Sequence, residues 1–301
     1  MTMPNFFIIG AARCATDSLY SYLNQHPQIY MSPVKETNWF VFYGQPVQFC
    51  GPGDREALQS CYVPTLGAYQ AQFDGVRDEQ AIGEASPWYI YRPEVPARIK
   101  SDVPDARFIA MLRNPIDRAY SSFAMLTRDC REPESQFMRA IELEDERVAA
   151  NWEPIWHYAR MGCYHDQVKR YFDTFGRDRV RVYIYDDFDS APADVMADIL
   201  RFLEVDAGFL PDMTVRLNQS YVPKSRALHG ALAGGSPLKA VSRRLVPAPL
   251  RSRIRASAMA SNAQRGGVTA EERARLIEVF RSDVERLQEL LNRDLSIWLS
   301  A

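Results

Sequence analysis

The chain has 301 residues, of which 47% are hydrophobic and 25% are charged, and its formal net charge is -2. A chain of this size buries a substantial core, and its length fits one large α/β domain as well as two small ones. The near-neutral charge provides no general basic field, which argues against nucleic acid as a partner and means that any anion site is local.

Cysteine usage and the N-terminal segment favour a cytoplasmic protein. The five cysteines are odd in number and show neither a C-x-x-C pair nor a zinc-like spacing with histidine, so we expect reduced thiols and no metal site. The apolar run Phe6–Ile9 is interrupted by Gly10 and is too short for a signal peptide. No apolar run approaches the roughly 20 residues that span a bilayer, so we expect no stable membrane insertion.

Short apolar runs followed by helical patterns recur along the chain. The apolar runs are Phe6–Ile9, Ile29–Met31, Ala81–Glu84, Phe108–Leu112 and Val180–Tyr185. The helical patterns are Thr16–Leu23, Pro115–Phe123, Tyr164–Phe175, Ala193–Leu203 and Thr269–Leu291, the last with Thr269 as its N-cap. Because strands that alternate with helices build parallel sheets, the pattern predicts an α/β fold in which helices flank a central parallel sheet.

We expect residues 1–301 to form a single domain, because no linker composition or internal repeat divides them. Residues 45–78 are rich in glycine, proline and aromatic residues and are predicted to form an insertion near the mouth of the sheet. Residues 213–270 contain basic but no acidic residues. Such a run is usually a solvated face, but its place after the last strand-helix unit would also let it cover a bound anion.

Two strand-turn-helix segments have the composition of anion sites. In the first, small residues follow Phe6–Ile9 and lead into a helix, so that backbone N–H groups can approach an anion. Its spacing is not that of a Walker A loop, and a tight turn without a ligand explains it equally well when it is taken alone. In the second, Arg113 follows Phe108–Leu112, at the end of a strand where ligands of open parallel sheets bind. Arg118 is expected on the helix surface or paired with Asp117.

Together these segments resemble the sulfotransferase family that depends on 3'-phosphoadenosine 5'-phosphosulfate (PAPS), in the branch of bacterial enzymes and heparan sulfate sulfotransferases. The window Arg13-Cys14-Ala15-Thr16-Asp17 is similar to the family's 5'-phosphosulfate loop, and Arg113 with Ser121 eight residues later matches its 3'-phosphate motif. The segment 218–226 resembles the loop that closes over the nucleotide. The resemblance extends from Phe6 to Trp298 and implies a P-loop-like three-layer fold.

The resemblance implies PAPS as co-substrate, adenosine 3',5'-bisphosphate as product and no metal. It assigns donor binding to the first loop, the arginine-serine pair and the closing segment, namely Arg13, Cys14, Ala15, Thr16, Asp17, Ser18, Arg113, Ser121, Lys224, Ser225 and Arg226. Cys14 and Ala15 stand where the family more often has glycine or serine. Asp17 adds a negative charge beside the phosphosulfate, and we expect its side chain to point away and to stabilise its own helix.

The segment 31–40 resembles the family's stretch in which a glutamate precedes an aromatic pair. Sulfuryl transfer needs an in-line acceptor, a base for its proton and cations for the leaving oxygen. Glu36 is the candidate base, with Arg13 and Lys35 as the cations, and a histidine is the rival base. Glu84 is expected either to contact the acceptor as a secondary acid-base group or to pair with a neighbouring arginine.

The resemblance therefore predicts transfer of a sulfuryl group from PAPS to a hydroxyl or amine of a small-molecule, lipid or glycan acceptor. The alternative is a catalytically impaired nucleotide-binding protein of the same fold, suggested by Asp17 and by Ala85, where some family members carry lysine. A nucleotide kinase would need a Walker A lysine, which the sequence lacks. Five aromatic residues either form an apolar wall for the acceptor or belong to the core: Trp39, Phe40, Phe42, Tyr43 and Phe49. The sequence assigns neither the acceptor nor the oligomeric state.

Overall fold

A five-stranded parallel sheet lies at the centre of the protein. The computed structural model describes residues 2–58, 62–214, 222–223, 263–264 and 266–300. In chain order the strands of the sheet are β1 Phe6–Gly10, β2 Ile29–Met31, β3 Ala81–Ala85, β4 Arg107–Leu112 and β5 Val180–Ile184. Their order in space is β2-β3-β1-β4-β5, and every neighbouring pair is parallel.

Helices flank this sheet, which confirms the predicted fold class. The helices of the described residues are α1 Thr16–Leu23, α2 Trp39–Phe42, α3 Asp54–Leu58, α4 Leu66–Gln70, α5 Val95–Asp102, α6 Pro115–Arg128, α7 Phe137–Glu142, α8 Glu144–Ala149, α9 Tyr164–Phe175, α10 Tyr185–Ser190, α11 Pro192–Phe202 and α12 Ala270–Leu291. Short 3₁₀ turns occur at Ala71–Phe73, Pro154–Trp156, Arg160–Gly162, Arg177–Arg179 and Ser296–Leu299. None of the helices in this part of the chain is long and apolar enough to cross a membrane.

The strands agree with the prediction to within one residue at each end, and the apolar runs of β1 and β4 are buried on both faces. All five residues of β1 are buried, and so are the last five of β4. The Phe7 ring of β1 stacks on Phe108 of β4 at 5.7 Å between centroids. Central parallel strands bury both faces, so their sequences are continuous rather than alternating apolar runs.

The predicted helices are also present, and two of them differ in their boundaries. Helix α6 continues to Arg128, five residues beyond the predicted end, and α11 begins and ends one residue earlier, at Pro192 and Phe202. Thr269 is the N-cap of α12, where its hydroxyl accepts from the backbone N–H of Glu272 and the Glu272 carboxylate accepts from the backbone N–H of Thr269. This reciprocal capping box fixes the start of the longest described helix.

The two stretches that interrupt the predicted alternation differ in how much of them is described. Residues 45–78 include α3 and α4 and contribute no strand in their described part. Within residues 213–270, a short antiparallel pair joins Val222–Pro223 to Ala263–Gln264. Most of that basic stretch, with Lys224, Ser225 and Arg226, lies outside the described residues.

Candidate active site

The two candidate anion loops lie side by side at one edge of the sheet. Strands β1 and β4 are hydrogen-bonded neighbours, so their C-terminal ends open toward the same edge. The backbone N–H of Ala11 donates to the carbonyl oxygen of Met111 at 2.7 Å, which ties the first loop to the end of β4. Helices α1 and α6 both begin here, so two helix N-termini face one region.

The backbone of the first loop takes conformations that favour glycine. Gly10 ends β1 with φ of +151°, and a Cβ atom at this position would lie 2.5 Å from Cγ2 of Ile90. Arg13 and Ala15 have φ values of 70° and 60°, in the left-handed region that non-glycine residues rarely adopt. Ala15 is the N-cap of α1, and its side chain provides no cap for the helix.

Small and polar side chains of this loop are packed into the protein. Thr16, Ser18 and Cys14 are all buried. The Cys14 sulfur lies 3.9 Å from the hydroxyl of Tyr164, and burial raises the pKa of the thiol although the charges of nearby arginines oppose it. Cys14 is therefore a protonated core residue, and its backbone N–H donates to the carbonyl oxygen of Ala11 at 3.2 Å.

The Arg13 side chain reaches from the first loop to the second. Its Nε donates to the Ser121 hydroxyl at 3.2 Å, and its Nη1 lies 3.3 Å from the sulfur of Met125. Burial lowers the pKa of this guanidinium, and the charge of Arg128 lowers it further, whereas Asp17 raises it. The residues that the sequence assigned to opposite ends of the donor are thus in direct contact across the two loops.

Arg113 follows β4 and is held by an aromatic residue that the sequence analysis missed. Its guanidinium carbon lies 4.8 Å from the centre of the Tyr185 ring, and its carbonyl oxygen accepts from the Tyr164 hydroxyl at 3.0 Å. Tyr185 was assigned to the end of a strand, but it begins α10 at the same edge of the sheet. Ligands of parallel sheets bind at the carboxyl ends of the strands, so the residue that follows each strand is a candidate, and Tyr185 is such a residue.

Arg118 was predicted to lie on the helix surface or to pair with Asp117. The structure shows neither arrangement. The side chain is fully buried and donates to the Ser122 hydroxyl at 3.2 Å and to the Tyr158 carbonyl at 2.5 Å. Asp117 pairs instead with Arg273 of α12 at 2.8 Å. The prediction was wrong because position 118 faces the interior, toward a carbonyl group that the local sequence does not specify.

Lys35 lies between two carboxylates. Its Nζ is 2.6 Å from Oδ1 of Asp17 and 2.7 Å from Oε1 of Glu36. Burial alone lowers the pKa of Lys35, but the charges of both carboxylates and their hydrogen bonds outweigh it and raise the pKa above its usual value. Asp17 occupies the first turn of α1, as expected, but its carboxylate turns toward Lys35 instead of pointing away from the site.

Glu36 is anchored through its backbone at the end of β3. Its N–H donates to the carbonyl oxygen of Ala85 at 2.8 Å, and its own carbonyl oxygen accepts from the Asn38 side chain at 2.9 Å. The Glu36 side chain is 36% exposed, so its carboxylate is accessible. Ala85 makes this contact through its main-chain carbonyl oxygen, so a residue of any type at position 85 can make it.

Glu84 forms a buried hydroxyl cluster and has neither of its expected contacts. Its carboxylate accepts from four hydroxyl groups at 2.5–2.7 Å, those of Thr37, Tyr69, Ser86 and Tyr89. Burial raises its pKa, and these hydrogen bonds oppose the rise. Glu84 is fully buried, so it fixes the segment that carries Glu36 to β3 and reaches no acceptor.

The described histidines all have structural contacts. His26 contacts the carbonyl oxygen of Asp206 at 2.9 Å, and His165 contacts the Asp166 carboxylate at 2.6 Å. His157 contacts the Tyr91 hydroxyl at 2.8 Å, and burial lowers its pKa to about 4. His229, the fourth histidine, lies outside the described residues.

A second buried charge cluster lies within electrostatic reach of Glu36. Nη2 of Arg131 is 2.6 Å from Asp54 and 2.5 Å from Glu153, and the indole N–H of Trp156 donates to Asp54 at 2.7 Å. Burial raises the pKa of Glu153 to about 7, and the charge of Glu36 contributes to the rise. Its members come from three separate segments, and no local motif indicates them.

Replacement of Ala15 by glycine is expected to stabilise the protein. The left-handed conformation costs a non-glycine residue about 1 kcal/mol or more, so Ala15→Gly should raise the free energy of unfolding by roughly 0.5–1 kcal/mol. Urea denaturation measures the difference. Ala12→Gly is the matched control, because Ala12 does not have a positive φ, and it should lower stability. Equal losses in both variants would contradict the argument.

The raised pKa of Glu153 predicts a specific pH dependence of stability. The folded protein keeps the Glu153 proton to about pH 7, whereas the unfolded chain releases it near the usual glutamate pKa of 4.5. Between these values the unfolded state binds fewer protons, so the contribution of Glu153 to stability falls as the pH rises. The free energy of unfolding of Glu153→Gln should therefore rise relative to that of the wild type by about 3 kcal/mol between pH 4.5 and 8.

Denaturant unfolding at several pH values tests this expectation. Glu146→Gln, at an exposed position of α8, controls for the loss of one carboxylate and should leave the pH profile unchanged. A constant stability difference between Glu153→Gln and the wild type across the range would rule out the proposed titration.

Comparison with known proteins identifies the family of this chain. A family model described as "Sulfotransferase family" matches residues 4–208. A crystal structure of a sulfotransferase from Alicyclobacillus acidocaldarius is 36% identical, and the match covers 100% of both chains with a TM-score of 0.79.

Within residues 2–58, 62–214 and 266–300, no group of three or more His, Cys, Asp or Glu side chains is arranged to hold a metal ion.

Curated relatives show the same family at lower identity. The mouse bifunctional heparan sulfate N-deacetylase/N-sulfotransferase 4 is 26% identical over 67% of this chain and 22% of its own length. The membrane-associated sulfotransferase kil1 of Dictyostelium discoideum is 27% identical over 41% of this chain and 23% of its own length. The matches thus span less than a quarter of these two relatives. The match to residues 4–208 and the similarity to the bacterial structure show that the chain belongs to the sulfotransferase family.

Proposed function

We propose that this chain, acting as a single catalytic domain of residues 1–301, transfers a sulfuryl group from PAPS to a hydroxyl or amine of a small-molecule, lipid or glycan acceptor. The observation that supports this best is the hydrogen bond from Arg13 to Ser121, which joins two strand-turn-helix loops into one cationic surface. PAPS carries phosphate groups at both its 5' and its 3' end. A donor with two anionic ends matches two adjacent anion loops.

The described residues fit the two ends of this donor. In the first loop, backbone N–H groups of residues 14–18 and the hydroxyls of Thr16 and Ser18 would hold the 5' end at the N-terminus of α1. In the second, Arg113 and Ser121 would hold the 3'-phosphate, with the Arg113 guanidinium oriented by the Tyr185 ring. We assign Lys224, Ser225 and Arg226 to the phosphates as well, from the family resemblance alone.

The proposed reaction needs no cofactor other than the donor. The acceptor oxygen or nitrogen attacks the sulfur in line, and the bond between sulfur and the bridging phosphate oxygen breaks, with its electron pair remaining on that oxygen. The acceptor proton passes to the Glu36 carboxylate, which is accessible and anchored through its backbone. Arg13 and Lys35 would stabilise the charge on the leaving oxygen, each contributing on the order of 10²-fold in rate.

Two observations bear on the acceptor. The names of several relatives refer to glycans, among them a heparan sulfate N-sulfotransferase and carbohydrate sulfotransferase 15, which supports a glycan within the proposed range. Of the five aromatic residues considered as an acceptor wall, three are buried in the core, namely Trp39, Phe40 and Phe42. Tyr43 is 38% exposed and Phe49 is half-buried, so only these two remain candidates for acceptor contact.

We also propose a cytoplasmic location. Four of the five cysteines are in the described residues, and all four are free thiols: Cys14, Cys50, Cys130 and Cys163. Unpaired cysteines are usual in a reducing compartment.

Arg113→Ala should abolish most of the binding of adenosine 3',5'-bisphosphate. Loss of charge-assisted hydrogen bonds to a phosphate is expected to raise the Kd by about 10- to 100-fold, and Arg113→Lys should recover only part of it because an ammonium lacks the planar fork. Isothermal titration calorimetry measures the Kd. Arg201→Ala is the matched control, since this exposed arginine of α11 pairs with Asp198. Binding that is unaffected in Arg113→Ala, or thermal stabilisation of the wild type by ATP-magnesium alone, would refute the assignment.

Glu36→Gln should separate donor binding from turnover. The amide cannot accept the acceptor proton, so the rate should fall by roughly 10²- to 10⁴-fold, while the Kd for adenosine 3',5'-bisphosphate should change by less than about threefold. Transfer from radiolabelled PAPS is measured with an acceptor identified in a screen of alcohols, phenols, amines and glycans. Glu94→Gln, at a carboxylate paired with Arg92, is the control. Unchanged turnover in Glu36→Gln would assign the base to another residue.

A further inference from the structure

We propose that Asp17 is a positioning residue that acts through Lys35: together with Glu36 it holds the Lys35 ammonium between the donor loop and the candidate base. This inference rests on the proposed function. Asp17 places a negative charge beside a predicted anion site. Its ion pair with Lys35 explains how that charge is compatible with donor binding.

The contacts of Lys35 come from two separate segments. Asp17 belongs to the first turn of α1, whereas Glu36 is anchored to the end of β3. The ammonium lies 2.6 Å from one carboxylate and 2.7 Å from the other, and the Lys35 side chain is only 18% exposed. A lysine side chain has a flexible stem and three donors, so a single exposed ion pair fixes it weakly. Two carboxylates on different elements restrict a largely buried ammonium to one location.

Lys35 also compensates the negative charge of the two carboxylates. Asp17 lies between Thr16 and Ser18, whose backbone we assign to the 5' end of the donor. An uncompensated carboxylate here repels a phosphosulfate, and Glu36 would add a second negative charge. Lys35 contacts both carboxylates, so it cancels much of this repulsion. Asp17 and Lys35 therefore act as a unit, and the effect of removing Asp17 depends on whether Lys35 is present.

A double-mutant cycle tests this dependence with adenosine 3',5'-bisphosphate as the probe. Lys35→Met should raise the Kd by about 10- to 100-fold, because it leaves two carboxylates uncompensated. In the wild-type background Asp17→Asn should raise the Kd by about three- to tenfold, because the Lys35 ammonium loses one of the two carboxylates that hold it. In the Lys35→Met background the same substitution should lower the Kd by about tenfold, because it removes repulsion.

Conservative variants distinguish positioning from a structural role. Lys35→Arg should restore binding to within about threefold of the wild type, and Asp17→Glu should lack the gain that Asp17→Asn gives in the Lys35→Met background. If Asp17→Asn tightens binding equally in both backgrounds, the Asp17 charge repels the ligand independently of Lys35. That result would overturn the inference. An Asp17→Asn effect near zero in both backgrounds would overturn it too. A wild-type protein that does not bind adenosine 3',5'-bisphosphate would instead overturn the proposed function.

Discussion

Parallel pairing of β1 with β4 is the constraint on which the candidate site depends. Parallel strands present their C-terminal ends at one edge of a sheet, so two loops far apart in the sequence are forced to be neighbours there. Each loop leads into a helix, and the N-termini of both helices face the same region. The hydrogen bond between Arg13 and Ser121, which are 108 residues apart in the sequence, is a direct consequence of this pairing.

The charges around this edge are compensated locally, which is consistent with a near-neutral chain that binds an anion. Arg13 and Arg113 face the anion loops, where one contacts a hydroxyl group and the other stacks on an aromatic ring. Acidic groups are instead placed beside cations of their own, as Asp17 and Glu36 are beside Lys35. The site thus creates a local positive field without a basic surface.

The sequence predicted those features that short stretches of residues determine. Buried parallel strands leave continuous apolar runs, and the strand-turn-helix order is local, so the sheet, α1, α9 and the position of Arg113 followed from the pattern. Features that depend on contacts between distant segments were missed or misassigned. The Glu84 carboxylate gathers hydroxyl groups from residues 37 to 89, and the Arg131 cluster joins α3 to the residues before α9. The hydrophobic pattern of a sequence does not predict which distant residue will pair with a buried charge.

The departures from the family pattern in the first loop have separate physical consequences. Cys14 buries its side chain, so this departure changes the packing of the core. Ala15 retains the left-handed conformation at an energetic cost that a glycine would avoid. Asp17 changes the charge of the loop. Of the three departures, it is the one for which a second residue, Lys35, compensates. A loop that binds mainly through its backbone tolerates changes of side chain when they preserve its dihedral angles and its net charge. Here Ala15 itself keeps the left-handed dihedral angle, whereas Lys35, which lies outside the loop, compensates the charge.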